Sequence, residues 1–172
     1  NTPEMYKTVR TYIKPDVRIS DLIFENPYLL LLLEHFDLDL VMHDKTVSQI
    51  CSENGINEKI FISFANLYNG FSLSGSDGFE KDHIETIIRF LSNSHDYFKH
   101  DKYPEIQDYI KKLHEKNPTA EIKLIGKFFG DYFTEVTEHL DYEETVAFPY
   151  FHSLLHKISA DTKNQNKRYS ET

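Results

Sequence analysis

From Ile122 to Tyr150 the apolar residues recur three and four apart: Ile122, Ile125, Phe129, Tyr132, Val136, Val146 and Tyr150 share one stripe, and His139 and Glu143 occupy two positions of the same series. Such a stripe specifies one long helix with a face turned to a partner helix, and it leaves no room for the alternation of a strand. A second stripe precedes it. Ile84, Ile88, Leu91, His95 and Phe98 are spaced in the same way, and after a kink expected near Pro104 the pattern resumes with Ile106, Tyr109, Ile110 and Leu113. The connection around 116–119 is short, so the two helices are expected to be antiparallel neighbours. Pro149 should bend the second helix near its end or open a new one.

The rest of the chain also reads as helical. Glycines are few and fall where helices should stop. Ser20 or Asp21 can cap a short helix to about Glu25, and Pro27 suits the first turn of the next, whose five successive leucines at 29–33 predict burial on most sides. Asp44 or Thr46 can cap a helix presenting Val47, Ile50 and Cys51, stopped at Gly55; a further helix from Asn57 carries Ile60, Phe61, Phe64 and Leu67 to Gly70. The Gly/Ser-rich run from Ser72 to Gly78 reads as a linker. The expected organisation is all-α: a partly ordered arm at 1–17, a small helical domain at 18–70, a linker at 71–81, the metal-binding helices at 82–157 and a polar tail at 158–172.

The chemistry lies in the polar residues placed on apolar stripes. A buried carboxylate costs several kcal/mol unless a positive partner offsets it, and no Arg or Lys shares either stripe, whereas a metal ion would serve. His139 and Glu143 are one helical turn apart, which sets imidazole and carboxylate side by side in a geometry that chelates a cation between helices. Neutral imidazole with carboxylate suits Fe, Mn or Zn, and iron where oxygen or nitric oxide chemistry is intended. His95, His139 and Glu143 are therefore the candidate ligands. The competing explanation is a core histidine with satisfied hydrogen bonds, which accounts for one such residue more easily than for three on adjacent stripes. His152 and His156 lie roughly 20 Å or more along a straight helix from His139 and roughly 100–140° around it. His100 and His114 point elsewhere or lie past Pro104, and His43 and His83 fall in a loop and at a helix start.

Composition excludes several classes. A formal charge of −9, with a dense cationic stretch only at 163–168, argues against a nucleic-acid partner. The longest apolar run, 28–33, is too short to span a bilayer, so no membrane partner and a cytoplasmic location are expected. The single Cys51 rules out an internal disulfide or four-thiolate site and reads as a small buried hydrophobe. There is no Gly-rich phosphate loop, nucleophile elbow or zinc-finger spacing.

The stretch from Asn93 to Phe98, followed by Pro104-Glu105-Ile106 and by His139-x-x-x-Glu143-Glu144-x-x-x-Phe148-Pro149, resembles the first half of the hemerythrin-like domain of Repair of Iron Centres proteins. Phe36-Asp37-Leu38-Asp39 and the 46–51 helix resemble the small domain that precedes it, so the resemblance covers roughly 17–155 and is nearest to the form found in Bacteroidetes. It implies a four-helix bundle binding two bridged irons, of which this chain carries about the first two helices. It also implies a role in restoring iron–sulfur clusters damaged by nitric oxide or oxidants, by iron donation or nitric oxide handling, with damaged iron–sulfur proteins as partners. His95 and His139 would be ligands of the first and second helices, Glu143 the bridging carboxylate, and Glu144 at most a support. A metal-binding repair protein is expected rather than a conventional enzyme, with oxygen or nitric oxide sensing as the alternative and a metal-free interaction module as a third. The sequence departs from the family in two places. Val41-Met42 stand where members carry paired cysteines, and three ligands are present where such a centre takes about five or six. The non-heme diiron centre is therefore expected to be incomplete in a lone chain, completed either by a homodimer or by later helices of a longer protein.

Overall fold

A computed structural model of the chain describes residues 10–39, 44–72 and 81–157, and of Lys81 and Asp82 the backbone alone. Among the described residues all regular structure is helical, apart from one isolated antiparallel bridge between Arg18 and Thr46. Val41-Met42, His43, the core of the Gly/Ser-rich run and the cationic tail lie outside the described residues. None of the described helices is long and apolar enough to cross a membrane. The chain divides into two compact units between Asn93 and Ser94. This division falls beyond the 71–81 stretch because the start of the fifth helix packs on the N-terminal helices through Phe90.

The first unit holds α1 (Ile19–Glu25), α2 (Leu29–His35), α3 (Val47–Glu53), α4 (Glu58–Tyr68) and the first part of α5 (Lys81–Tyr97). Thr46 and Gln49 form a reciprocal capping box on α3, and Asn57 Oδ1 accepts from Ile60 N to cap α4. α1 is started differently from expectation. Neither Ser20 nor Asp21 caps it; Ile19 N donates to the Lys45 carbonyl at 3.0 Å, beside the bridge to Thr46. Gly55 and Gly70 end their helices at positive φ, and Asp37 does the same after α2 in the left-handed region that Asp tolerates better than most residues. The core gathers Leu29, Leu32 and Leu33 with Phe36, Phe61 and Phe90, whose rings meet at 4.8–5.1 Å from Phe36.

Residues 10–17, within the stretch expected to be a partly ordered arm, are held by side-chain amides. Ile13 is fully buried, Asn66 Oδ1 accepts from its N–H at 2.8 Å, and Asn66 Nδ2 donates to its carbonyl at 3.1 Å. Asn69 Nδ2 donates to the Thr11 carbonyl, and Asn26 Nδ2 in turn donates to Asn69 Oδ1. Periodicity cannot register such pairing, because one side-chain amide supplies both hydrogen bonds that a neighbouring strand would have made.

In the second unit α5 ends in a π segment (Phe98–Lys102) that runs on into α6 (Tyr103–Lys116). α7 (Ala120–Tyr142) returns antiparallel, passes through a π segment (Glu143–Ala147) and continues over 148–157. Neither proline breaks its helix. In each case the residue before the proline donates to the fifth residue back, Tyr103 N to the Phe98 carbonyl and Phe148 N to the Glu143 carbonyl. A proline ring clashes with the carbonyl four residues back, and widening the helix by one residue relieves that clash.

The stripe from Ile122 to Tyr150, expected to be buried against a partner helix, is covered only in part: Ile122, Phe129, Val136 and Glu143 are half-buried, while Val146 and Tyr150 are exposed. α7 meets α6 with Gly126 against Ile110 and Phe133 stacked on Tyr103 at 4.4 Å. An added Cβ at Gly126 would come within 3.3 Å of Ile110, so the glycine permits this close approach. Ile125, Tyr132 and His139 lie about 100° around the helix from Phe133 and are exposed. α7 thus has two apolar faces, and α6 covers the one carrying Gly126 and Phe133.

Two outcomes are expected in the first unit. Burial, aided by Glu58, pushes the Cys51 thiol up to about 12, so a thiol reagent should label Cys51 only after unfolding, and Cys51→Ala should leave oligomeric state unchanged; rapid labelling of the folded protein would contradict its packing role. Burial also holds the His35 imidazole below its ordinary 6.5. The unfolded chain then takes up a proton that the folded chain refuses, so stability is lost as pH falls below 6.5, at a slope approaching ~1.4 kcal/mol per pH unit. Urea unfolding at pH 7.5 and 5.5 should show this loss in the native chain and a smaller one in His35→Gln; equal losses in both would remove His35 as the cause.

Candidate metal centre

His95, His139 and Glu143 converge as their spacing predicts, with Glu143 in the middle. Its Oε2 lies 3.3 Å from His95 Nε2 and its Oε1 lies 3.3 Å from His139 Nε2. The two histidines are unequal. His95 is 6% exposed, while the His139 side chain is 67% exposed and stands on the open face of α7.

Glu144 is in direct contact with His95. His95 Nδ1 is 2.7 Å from Glu144 Oε1, and a carboxylate only accepts, so Nδ1 carries the proton. This is the carboxylate–histidine pairing that orients metal-binding imidazoles, and it fits the supporting role expected of Glu144. Phe148 stacks on the other side of the ring at 5.7 Å and 16°. The π segment makes this possible. One inserted residue turns everything beyond it by about 100° and brings Phe148, rather than a neighbour, over His95. Lys99 Nζ pairs with Asp141 Oδ1 beside the cluster and closes that flank of the hairpin.

With its proton on Nδ1, His95 presents the Nε2 lone pair to Glu143. Two lone pairs facing each other across 3.3 Å repel, and either a second ring proton or a cation between them reverses the sign. The spacing itself suits a cation. Two donors each about 2.1 Å from one ion, at an angle of about 100°, are about 3.2 Å apart. Glu143 meets this condition twice, once with each oxygen, so one carboxylate can be shared between two ions with an imidazole on each. Among the described residues no three His, Cys, Asp or Glu side chains are grouped so as to hold a metal ion ready-made. His95, His139 and Glu143 thus bring two imidazoles and one carboxylate, all of them side chains able to bind a metal, into one cluster.

His100, His114, His152 and His156 stay out of the cluster. Sequence reasoning passed over His35, which is buried 3.3 Å from the Tyr68 hydroxyl, edge-on to Phe90, and whose carbonyl accepts from Asn93 Nδ2. Its three-residue spacing from Leu32 was the available signal. His83, read as incidental at a helix start, is also buried. No family model matches the chain, and no curated protein or solved structure matches it.

Pro149→Ala should let 143–147 close into ordinary α-helix and carry Phe148 off the His95 ring. The measurable sign is loss of the ring-current shift of the His95 carbon-bound protons in NMR spectra, with helicity unchanged. An unmoved resonance would show that the proline does not hold the insertion in place.

Proposed function

We propose that this chain holds a non-heme diiron centre, with Glu143 bridging the irons and one of His95 and His139 on each, and that it acts in the repair of iron–sulfur clusters damaged by nitric oxide or oxidative stress. The observation that carries this reading is the pair of equal 3.3 Å approaches from the two oxygens of Glu143 to two different imidazole nitrogens. The resemblance of the His-x-x-x-Glu-Glu-x-x-x-Phe-Pro stretch to the hemerythrin-like domain of Repair of Iron Centres proteins supports it and supplies the physiological role.

Bound iron would supply a redox-active cation able to take up oxygen or nitric oxide, or would itself be the cargo delivered to a damaged cluster. The chain's own residues set the conditions. Glu144 holds the proton at His95 Nδ1 and thereby keeps Nε2 free to bind. Phe148 covers one side of His95 and excludes water there. His139 keeps the other end of Glu143 accessible, which suits transfer of iron to a client protein better than a sealed cofactor pocket would. Sensing of oxygen or nitric oxide is the second reading. It draws on the continuity of α5, which carries both Phe90 of the N-terminal core and His95.

Glu143→Ala should lower iron content at least tenfold, with the near-ultraviolet absorption of a bridged diiron centre lost and helicity nearly intact. Glu144→Ala should weaken iron binding by about 10–100-fold, as loss of an orienting partner does. Full iron retention in Glu143→Ala would refute the ligand assignment. Anaerobic transfer of iron from the loaded protein to an apo iron–sulfur enzyme separates the donor reading from the sensor reading.

A further inference from the structure

We infer that the open face of the α6–α7 hairpin is an interface for a second copy of this chain, and that the two copies pack as a four-helix bundle with their His–Glu–His clusters brought to one level. The inference rests on the diiron reading for what the joined clusters do, but the interface stands on its own observations.

In a bundle of four helices each helix touches two neighbours, roughly at right angles around its axis. α7 has this build. Gly126 and Phe133 face α6, and Ile125, Phe128 and Tyr132 form a second apolar face about 100° around or a little beyond. The side opposite the second face is polar, with Lys123, Lys127, Asp131, Thr134 and Glu138. On α6, Tyr109 and Leu113 lie about 60–100° from Ile110. Because the helices are antiparallel, this offset places them on the same side of the hairpin as the open face of α7. One side of the hairpin is therefore apolar on both helices, and it is exposed.

Area, charge and the site each favour a second copy as occupant. Tyr109, Leu113, Ile125, Phe128, Tyr132 and Phe151 are 44–63% exposed. At roughly 200 Å² for a fully exposed large side chain, these six offer roughly 600 Å², near the ~800 Å² per partner of a standard interface before their neighbours are counted. A two-fold axis along the bundle sets α6 of one copy beside α7 of the other, antiparallel and at equal levels. Ile110 lies level with Gly126 and Tyr103 with Phe133. Across that seam the Lys102 and Lys116 rim of α6 meets the Glu121 and Glu135 rim of α7. His139 opens onto this face, and the axis brings a second His95, His139 and Glu143 to the same level, which together with the first set reaches the about five or six ligands a bridged pair takes.

Light scattering after size-exclusion chromatography, on the 172-residue chain with and without iron and with iron analysis in parallel, tests this. The expected result is twice the mass of one chain in both states. Phe128→Asp with Tyr132→Asp should halve the mass at unchanged helicity and raise the dimer dissociation constant at least 100-fold, whereas Thr134→Asp on the polar side should leave it unchanged. As a second measurement, chains carrying Tyr109→Cys mixed with chains carrying Phe128→Cys should cross-link on oxidation. A monomer at micromolar concentration, or a dimer indifferent to the double substitution, overturns the interface. A monomer that holds two irons overturns the interface and leaves the diiron reading intact. A dimer that takes up no iron upholds the interface and overturns the diiron reading.

Discussion

Two proline rings inside long helices set the conditions on which the rest of the second unit depends. Pro104 and Pro149 each reject the carbonyl four residues back, and each helix responds by widening over the preceding turn. The two widened turns flank His95 on one helix and contain Glu143 and Glu144 on the other. A regular helix would distribute these side chains around its axis with a fixed 100° step. The inserted residues break that step, so that Glu144, Glu143 and Phe148 all reach one imidazole from a single strand of helix. π insertions recur at functional sites for this reason, and here their cause can be named.

The packing of α7 follows a second constraint, the absence of a side chain at Gly126. A helix with apolar residues on two faces can lie against a neighbour with either, and the face that allows closer approach gains more dispersion contacts per residue. α6 therefore takes the glycine face, while the longer stripe of Ile125 and Tyr132 stays outside with His139. The exposure of His139 thus follows from which face the hairpin closes on.

Much of this was legible in the chain. The helical class, the capping of α3 by Thr46 and of α4 by Asn57, the burial of Val47, Ile50 and Cys51, and the convergence of His95, His139 and Glu143 all follow from spacing and capping chemistry, which are local properties. What could not be read depends on residues far apart in sequence. The start of α1 is fixed by a carbonyl at Lys45, the place of Ile13 by Asn66, and the burial of His35 by Tyr68 and Phe90. The stripe on α7 is apolar as its spacing indicates but only partly buried, because periodicity reports that a face is apolar without saying how much of it a neighbouring helix will cover. The prolines were expected to bend or end helices; absorbing a proline by one extra residue leaves the period intact on either side and so gives no signal of its own.

The amide clamp of Asn66 on Ile13 also bears on the order in which the N-terminal helices come together. Its two hydrogen bonds close a loop of 53 residues, for which the length-dependent entropy alone is about 3.5 kcal/mol. The hydrogen bonds contribute about 1 kcal/mol each, so they cannot hold the loop shut before the helices between them have folded and shortened it. Segment 10–17 should then join this unit only after those helices have formed, its far end held by Ser48 N donating to the Pro15 carbonyl and Val47 N to the Val17 carbonyl.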